Sequence, residues 1–204
     1  MAKLIAAEPL EEAVEAAAEV LEAGGTVVLP TDTVYGIAAL PENRAAVTRI
    51  FELKGRPEGM HLAVLLAGPE QLPTVSMDHR PGVAALAIEL WPGPLTLVLP
   101  GATPLVSGLG DDDGTVGVRC PDHELVRALA DRVGPLATTS ANLHGHRTAA
   151  TAAEIAEELP GADLVIDGGP AVGGVASTVV SLLGDDPEIL RDGPVAESDI
   201  VRIW

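Results

Sequence analysis

Short apolar runs of strand length recur along this chain, and most of them meet hydroxyl, amide or cationic side chains at one end. Residues 25–29 run apolar and β-branched and deliver Pro30-Thr31-Asp32-Thr33-Val34-Tyr35-Gly36. Residues 136–139 lead into Ser140-Ala141-Asn142, residues 115–120 carry Arg119 near their end, and residues 188–191 close on Arg191. Residues 177–182 open on Ser177-Thr178. Polar clusters at strand ends are where open α/β sheets place ligands. A polar turn or cap accounts for any one of them taken alone.

Between these runs lie helical stretches. Residues 9–23 place Leu10, Val14, Ala17 and Leu21 on one face, with Pro9 in the first turn and Gly24-Gly25 as the stop. Residues 43–53 turn Val47, Ile50 and Phe51 inward, with Asn43 as the cap. Residues 81–90 and 122–132 read as helices, the second capped by Asp122. Residues 151–159 open on Thr151 and Glu154 at capping-box spacing. Further strands are expected at 62–66, 95–99 and 164–167. Residues 101–114 form a Gly- and Asp-rich loop, and 198–204 a last turn or edge segment. Strands and helices are intermixed throughout. That pattern predicts one α/β domain with a twisted mixed parallel/antiparallel sheet and flanking helices.

Composition narrows the function. Aromatic residues are only 2% of the chain, too few for a base-stacking platform. A net charge of −18 argues against a broad nucleic-acid surface, which needs many Lys and Arg to displace counterions, but leaves room for a small basic site. The single cysteine, Cys120, forms no internal disulfide and reads as a buried core thiol. No apolar run reaches the length of a membrane span, and the amino terminus lacks a signal-peptide core. A soluble, cytoplasmic protein is expected.

With only 12 Lys and Arg in the chain, each strand-end cation stands out. Lys54-Gly55-Arg56 offers a point charge and a planar fork of donors, which suits a polyphosphate. Closing a helix through its dipole is the plainer use. Arg119 in an apolar strand needs an anion, either a ligand carboxylate or an internal partner. Thr138, Thr139, Ser140 and Asn142 can bind phosphate oxygens or a base. Asp111-Asp112-Asp113 reads as a solvated loop rather than a Mg²⁺ site, and His144 and His146 as solvent-facing. The phosphate-loop, dinucleotide and serine-hydrolase signatures are absent.

Taken together, the motifs resemble the YrdC-like family of threonylcarbamoyl-AMP synthases over nearly the whole chain. They are Pro30 to Gly36, Lys54-Gly55-Arg56-Pro57, Trp91-Pro92-Gly93-Pro94-Leu95-Thr96, Val118-Arg119-Cys120-Pro121, Thr139-Ser140-Ala141-Asn142, Ser177-Thr178-Val179-Val180 and Leu190-Arg191. The resemblance implies a YrdC-like domain over 8–195, a large concave groove and no separate carboxyl-terminal domain. It implies a nucleotidyltransferase that joins L-threonine, bicarbonate and ATP, with Mg²⁺ accompanying ATP. The products are threonylcarbamoyl-AMP and pyrophosphate, and the adenylate passes to a tRNA threonylcarbamoyl transferase complex.

By position, the resemblance gives Lys54 and Arg56 the ATP phosphates and the central place in catalysis. Thr115, Ser140, Asn142, Thr148 and Arg191 complete the ATP site. Thr33, Arg119, Thr138 and Ser177 hold threonine, with Arg119 on its carboxylate. Where the family pattern has Asn-Pro-Leu and then His, this chain has Met60-His61-Leu62 and Leu65, so two expected polar contacts are missing. Two further readings remain beside this one: an RNA-binding or ribosome-maturation factor using the same groove, and a carbamoyl-adenylate-forming relative.

Overall fold

The computed structural model describes residues 2–55, 60–101, 105, 109, 114–171 and 174–204. Among them, ten strands form one sheet in the order β1-β8-β2-β3-β7-β4-β6-β5-β9-β10. The strands are β1 (Lys3–Ala6), β2 (Val27–Leu29), β3 (Gly36–Ala39), β4 (Ala63–Leu65), β5 (Leu95–Pro100), β6 (Thr115–Arg119), β7 (Leu136–Ser140), β8 (Leu164–Asp167), β9 (Thr178–Ser181) and β10 (Glu188–Arg191). Pairing is mixed. β1, β8 and β2 are parallel neighbours, β4 is parallel to β6 and β5 to β9, and the remaining contacts are antiparallel. The expected α/β sheet is therefore present.

Two strands were not expected. β1 joins the sheet by pairing Lys3 with Leu164, far away in sequence. β3 is made of Gly36-Ile37-Ala38-Ala39, too small and short to announce itself, and pairs antiparallel with β2. The polar heptad is thus the connection of a β2–β3 hairpin.

The helices are α1 (Leu10–Glu22), α2 (Arg44–Lys54), α3 (Pro81–Leu90), α4 (Glu124–Val133), α5 (Ala152–Glu158) and α6 (Glu197–Ile203), with a 3₁₀ turn at Pro69–Thr74. Asn43 caps α2 by accepting from Ala46 N at 3.1 Å. Thr151 and Glu154 form the full capping box of α5. The expected Asp122 cap is corrected: α4 starts one residue later behind His123, whose extended backbone supplies no side-chain cap. The carboxyl terminus is helical rather than an edge segment. It is fixed by Arg80, whose guanidinium lies 5.2 Å from the Trp204 ring centre.

Alternation along the strands separates two cores. On one face Ile37, Val64, Leu97, Val118, Ala137 and Val180 pack against α2, α3, α5 and α6. On the other, Val27, Leu29, Ala38, Leu136, Leu164 and Ile166 pack against α1 and α4. The second pair of helices covers mainly the half of the sheet near β8, β2 and β3. Toward β6, β5 and β9 this face carries Arg119, Thr96 and Val179, and there it floors a groove of about 800 Å³.

Candidate functional site

One end of the groove is organised by Arg119 at the end of β6, with the residue 7% exposed. Its Nε donates to Gly93 O at 3.0 Å, one terminal nitrogen to Thr33 Oγ1 at 2.9 Å, and the other to Asp32 Oδ1 at 2.6 Å. The anion that the sequence left open is therefore present internally, as Asp32. Burial pushes the Arg119 guanidinium down from its ordinary value, and the Asp32 carboxylate opposes that shift. Thr33 is held in turn, since its backbone N–H donates to Thr31 Oγ1 at 3.1 Å. Thr31 donates to Val34 O at 2.6 Å, so the heptad is a hydroxyl-stitched turn with Thr33 facing the groove.

Across the floor, Thr96 of β5 and Ser177 before β9 share a hydroxyl contact of 2.8 Å. Arg191, on edge strand β10, reaches back to both the Ser177 carbonyl at 3.0 Å and its hydroxyl at 3.1 Å. Arg191 and Arg119 are close enough for mutual charge repulsion to help lower the Arg119 pKa. Two guanidiniums on either side of neutral hydroxyls form a pocket that an anion would relieve.

The other end is built on the turn after β7. Asn142 is 7% exposed. Its Nδ2 donates to Leu143 O at 2.7 Å and His146 O at 2.8 Å. Its Oδ1 accepts from Thr148 Oγ1 at 3.2 Å. Lys54 supports this turn from behind, donating to the carbonyls of Ser140 and, at 2.6 Å, of Asn142. The Thr138 hydroxyl donates to Leu136 O at 3.2 Å along the same strand.

Residues 168–171 and 174 touch both ends. The Tyr35 hydroxyl donates to Gly169 O at 2.6 Å and accepts from Gly168 N at 3.1 Å. Ala171 N then donates to Ala150 O at 2.8 Å, near Thr148, and Gly174 N to Thr33 O at 3.0 Å. The amino-terminal and carboxyl-terminal walls are thereby tied together.

Most of the expected residues converge on one groove: Thr33, Arg119, Thr138, Ser140, Asn142, Thr148, Ser177 and Arg191 all line it. Lys54 requires a correction. It is not a loop cation but the last residue of α2, and it is 2% exposed. Gly55 in left-handed conformation ends the helix and leaves the Lys54 ammonium against the carbonyls of the β7 turn. Thr115 stands at the opposite end of β6 from Arg119, beside Pro100, and is not among the described lining residues. Arg56 and Asp111 to Asp113 lie outside the described residues. His144 is exposed, whereas His146 is exposed and lines the groove.

Sequence reasoning missed Thr96, His61 and Arg147 as lining residues, and left Asp32 and Tyr35 without a role. The WPGPLT motif contains Thr96, and its strand alternation with Leu95 and Leu97 was a usable signal. His61 and Arg147 carried none beyond their charge. The described lining holds three arginines and two histidines and no carboxylate, in a chain of net charge −18.

A mixed α/β sheet with an electropositive groove at its strand ends defines a class of small-molecule anion or nucleotide binders. The chain belongs to the Sua5/YciO/YrdC family, described as "Telomere recombination", whose model matches residues 19–193. It is 39% identical over 194 residues to a threonylcarbamoyl-AMP synthase of Bacillus subtilis, covering 92% of this chain and 55% of that protein. It is 38% identical over 195 residues to the human threonylcarbamoyl-AMP synthase, covering 92% of this chain and 69% of that one. The structure of Sua5 from Pyrococcus abyssi complexed with L-threonine superposes with a TM-score of 0.90 at 36% identity, covering 100% of this chain and 60% of that one.

Proposed function

We propose that the protein is an L-threonylcarbamoyladenylate synthase, a nucleotidyltransferase acting on L-threonine, bicarbonate and ATP. The observation that carries this reading is the groove lining: three arginines, two histidines and several hydroxyls, with no described carboxylate. Such a lining suits a ligand that is anionic at more than one point, as an amino acid joined to a nucleotide is.

The chemistry requires no enzyme nucleophile. The threonine amine adds to CO₂ derived from bicarbonate, with loss of water, to give a carbamate. A carbamate oxygen attacks the α-phosphorus of ATP, a new P–O bond forms, and the bond to the β-phosphate bridging oxygen breaks. Pyrophosphate leaves with that electron pair. The protein's work is to position the reactants and to offset charge. Arg119, kept in place by Asp32 and Gly93, takes the threonine carboxylate, with Thr33 and Ser177 beside it. Arg191 faces the developing phosphoryl charge, and Ser140, Asn142 and Thr148 hold the nucleotide.

Lys54 serves from behind, by fixing the carbonyls of the Ser140–Asn142 turn. Arg56 retains its expected place on the ATP phosphates. Mg²⁺ accompanying ATP would be held largely by the phosphates and water, since the described lining holds no carboxylate. The adenylate is passed to a tRNA threonylcarbamoyl transferase complex, and we assign both to the cytoplasm.

The test is release of pyrophosphate by the pure protein supplied with ATP, bicarbonate and amino acid. Release that depends on threonine supports the reading. Folded protein whose pyrophosphate output ignores threonine would sink it.

A further inference from the structure

Gly117 is the third residue of β6, in the interior of the sheet, where glycine weakens a strand and is uncommon without cause. Among the described residues the fold supplies no such cause. Its backbone does not adopt a positive φ. Among the described residues, a Cβ added there would meet only Thr96 Cγ2 at 3.5 Å, an ordinary van der Waals contact. Val116 and Val118 on either side are buried at 2% and 0%, facing the opposite core, whereas Gly117 is only half-buried.

Its register places it on the groove face of the sheet, between the lining residues Ala63 and Thr96, although Gly117 is not itself among the described lining residues. Side chains at alternate positions of a strand, and of registered partners on neighbouring strands, share a face. Gly117 therefore shares a face with Arg119. It pairs with Ala63 of β4 and Val98 of β5, and Ala63 pairs with Thr138 of β7. Ala63 and Thr138 line the groove. The row Thr138, Ala63, Gly117 and Val98 is thus a band of small side chains with its lowest point at Gly117.

That low point lies between the two chemical ends of the site. Arg119 and Leu65 are one step along their strands in one direction. Ser140 and His61, both lining residues, are one step in the other. Two residues of strand span about 6.6 Å. An amino-acid carboxylate on Arg119 has its own N-carboxylate a few bonds away, a distance of the same order.

We infer that Gly117 is kept without a side chain by the ligand: it is the platform on which the planar carbamate and its junction with the α-phosphate lie, and so sets the depth at which threonine and nucleotide meet. This rests on the reading of the groove as an acyl-adenylate site. Gly117 is a positioning residue, and the reaction it positions is bond formation between carbamate and phosphorus.

The experiment compares wild type, Gly117→Ala and Gly117→Val in threonine-dependent pyrophosphate release, threonine binding without ATP, and thermal melting. For Gly117→Ala the expected melting temperature equals or exceeds that of wild type. Its pyrophosphate release falls roughly tenfold to hundredfold, since overpacking a fitted site costs on that scale. Threonine binding alone changes little, because the Arg119 contacts do not cross the platform. Gly117→Val loses release further. An alanine variant with wild-type turnover overturns the inference while leaving the acyl-adenylate reading standing. A variant that loses melting temperature together with activity overturns it too, because the glycine would then serve the fold. Wild-type protein without threonine-dependent release overturns the acyl-adenylate reading itself and takes this inference with it.

Discussion

Arg119 and Asp32 meet at 2.6 Å at the edge of the groove, yet only Arg119 is among the described lining residues. The carboxylate stands behind the guanidinium and orients it. Three of the five guanidinium N–H donors are directed to Asp32, Thr33 and Gly93, which leaves the remainder for a ligand.

Removing Asp32 strips a mostly buried cation of its partner, which costs about 3 kcal/mol. Asp32→Ala is expected to unfold at correspondingly lower denaturant and to turn over more slowly. A threonine carboxylate would then be the best remaining counter-ion for Arg119. The rise in melting temperature on adding threonine should therefore be larger in Asp32→Ala than in wild type. A smaller or equal rise would show that threonine does not reach Arg119.

Lys54 makes a different prediction from the one its sequence position invites. A loop cation on phosphates could be removed without harm to the fold, but this ammonium satisfies buried carbonyls. Lys54→Met keeps most of the apolar stem and leaves the Ser140 and Asn142 carbonyls without it, at a cost of about 2 kcal/mol. Chemical denaturation should report that loss, and the KM for ATP should rise more than that for threonine. Unchanged stability with lost turnover would instead place Lys54 on the substrate.

These two residues mark how far the site could be read in the sequence. The strand-end clusters were legible because hydroxyls, amides and cations are costly in apolar runs and so announce a ligand or partner. Their convergence depends on pairings such as Gly36 with Ser140 and Ala63 with Gly117, which local pattern does not encode. Lys54 was misplaced because helix α2 continues one residue further than expected and turns that side chain inward. β3 was missed because it is only four residues long, three of them Gly or Ala, and shows no alternation, and β1 because its partner lies at the far end of the chain. The mixed sheet itself was legible from the alternation of short apolar runs with amphipathic helices.

Cys120 should be inert in the folded protein. It is 1% exposed, its thiol donates to Ala67 O at 3.3 Å, and burial pushes its pKa up to about 11. The unfolded thiol ionises near its ordinary value of 9.0, while the folded one keeps its proton, so the folded state binds the proton more tightly. This thiol's contribution to stability is then complete below pH 9.0 and is lost as pH rises toward about 11. Alkylation by iodoacetamide at mildly alkaline pH should follow global unfolding. Rapid labelling of native protein would contradict this.

Tyr35 is the only tyrosine in the chain, so its ionisation can be followed directly by tyrosinate absorbance. Burial raises its pKa above the ordinary 10.0, partly offset by the Gly168 N–H, with the Asp167 charge adding to the rise. The native titration should therefore have a midpoint above 10.0, and denatured protein one near it. Because the folded state holds the proton more tightly, this group's contribution is complete below pH 10.0 and is lost as pH climbs through the folded pKa. Tyr35→Phe removes both that pH dependence and the hydroxyl that grips the Gly168 N–H and the Gly169 carbonyl, a loss of about 1 kcal/mol. The same segment is bonded to Ala150 near the nucleotide end and to Thr33 at the threonine end. Its loosening should therefore raise the KM for both substrates together. A phenylalanine variant with higher KM for one substrate alone would show that the two walls are not coupled through this segment.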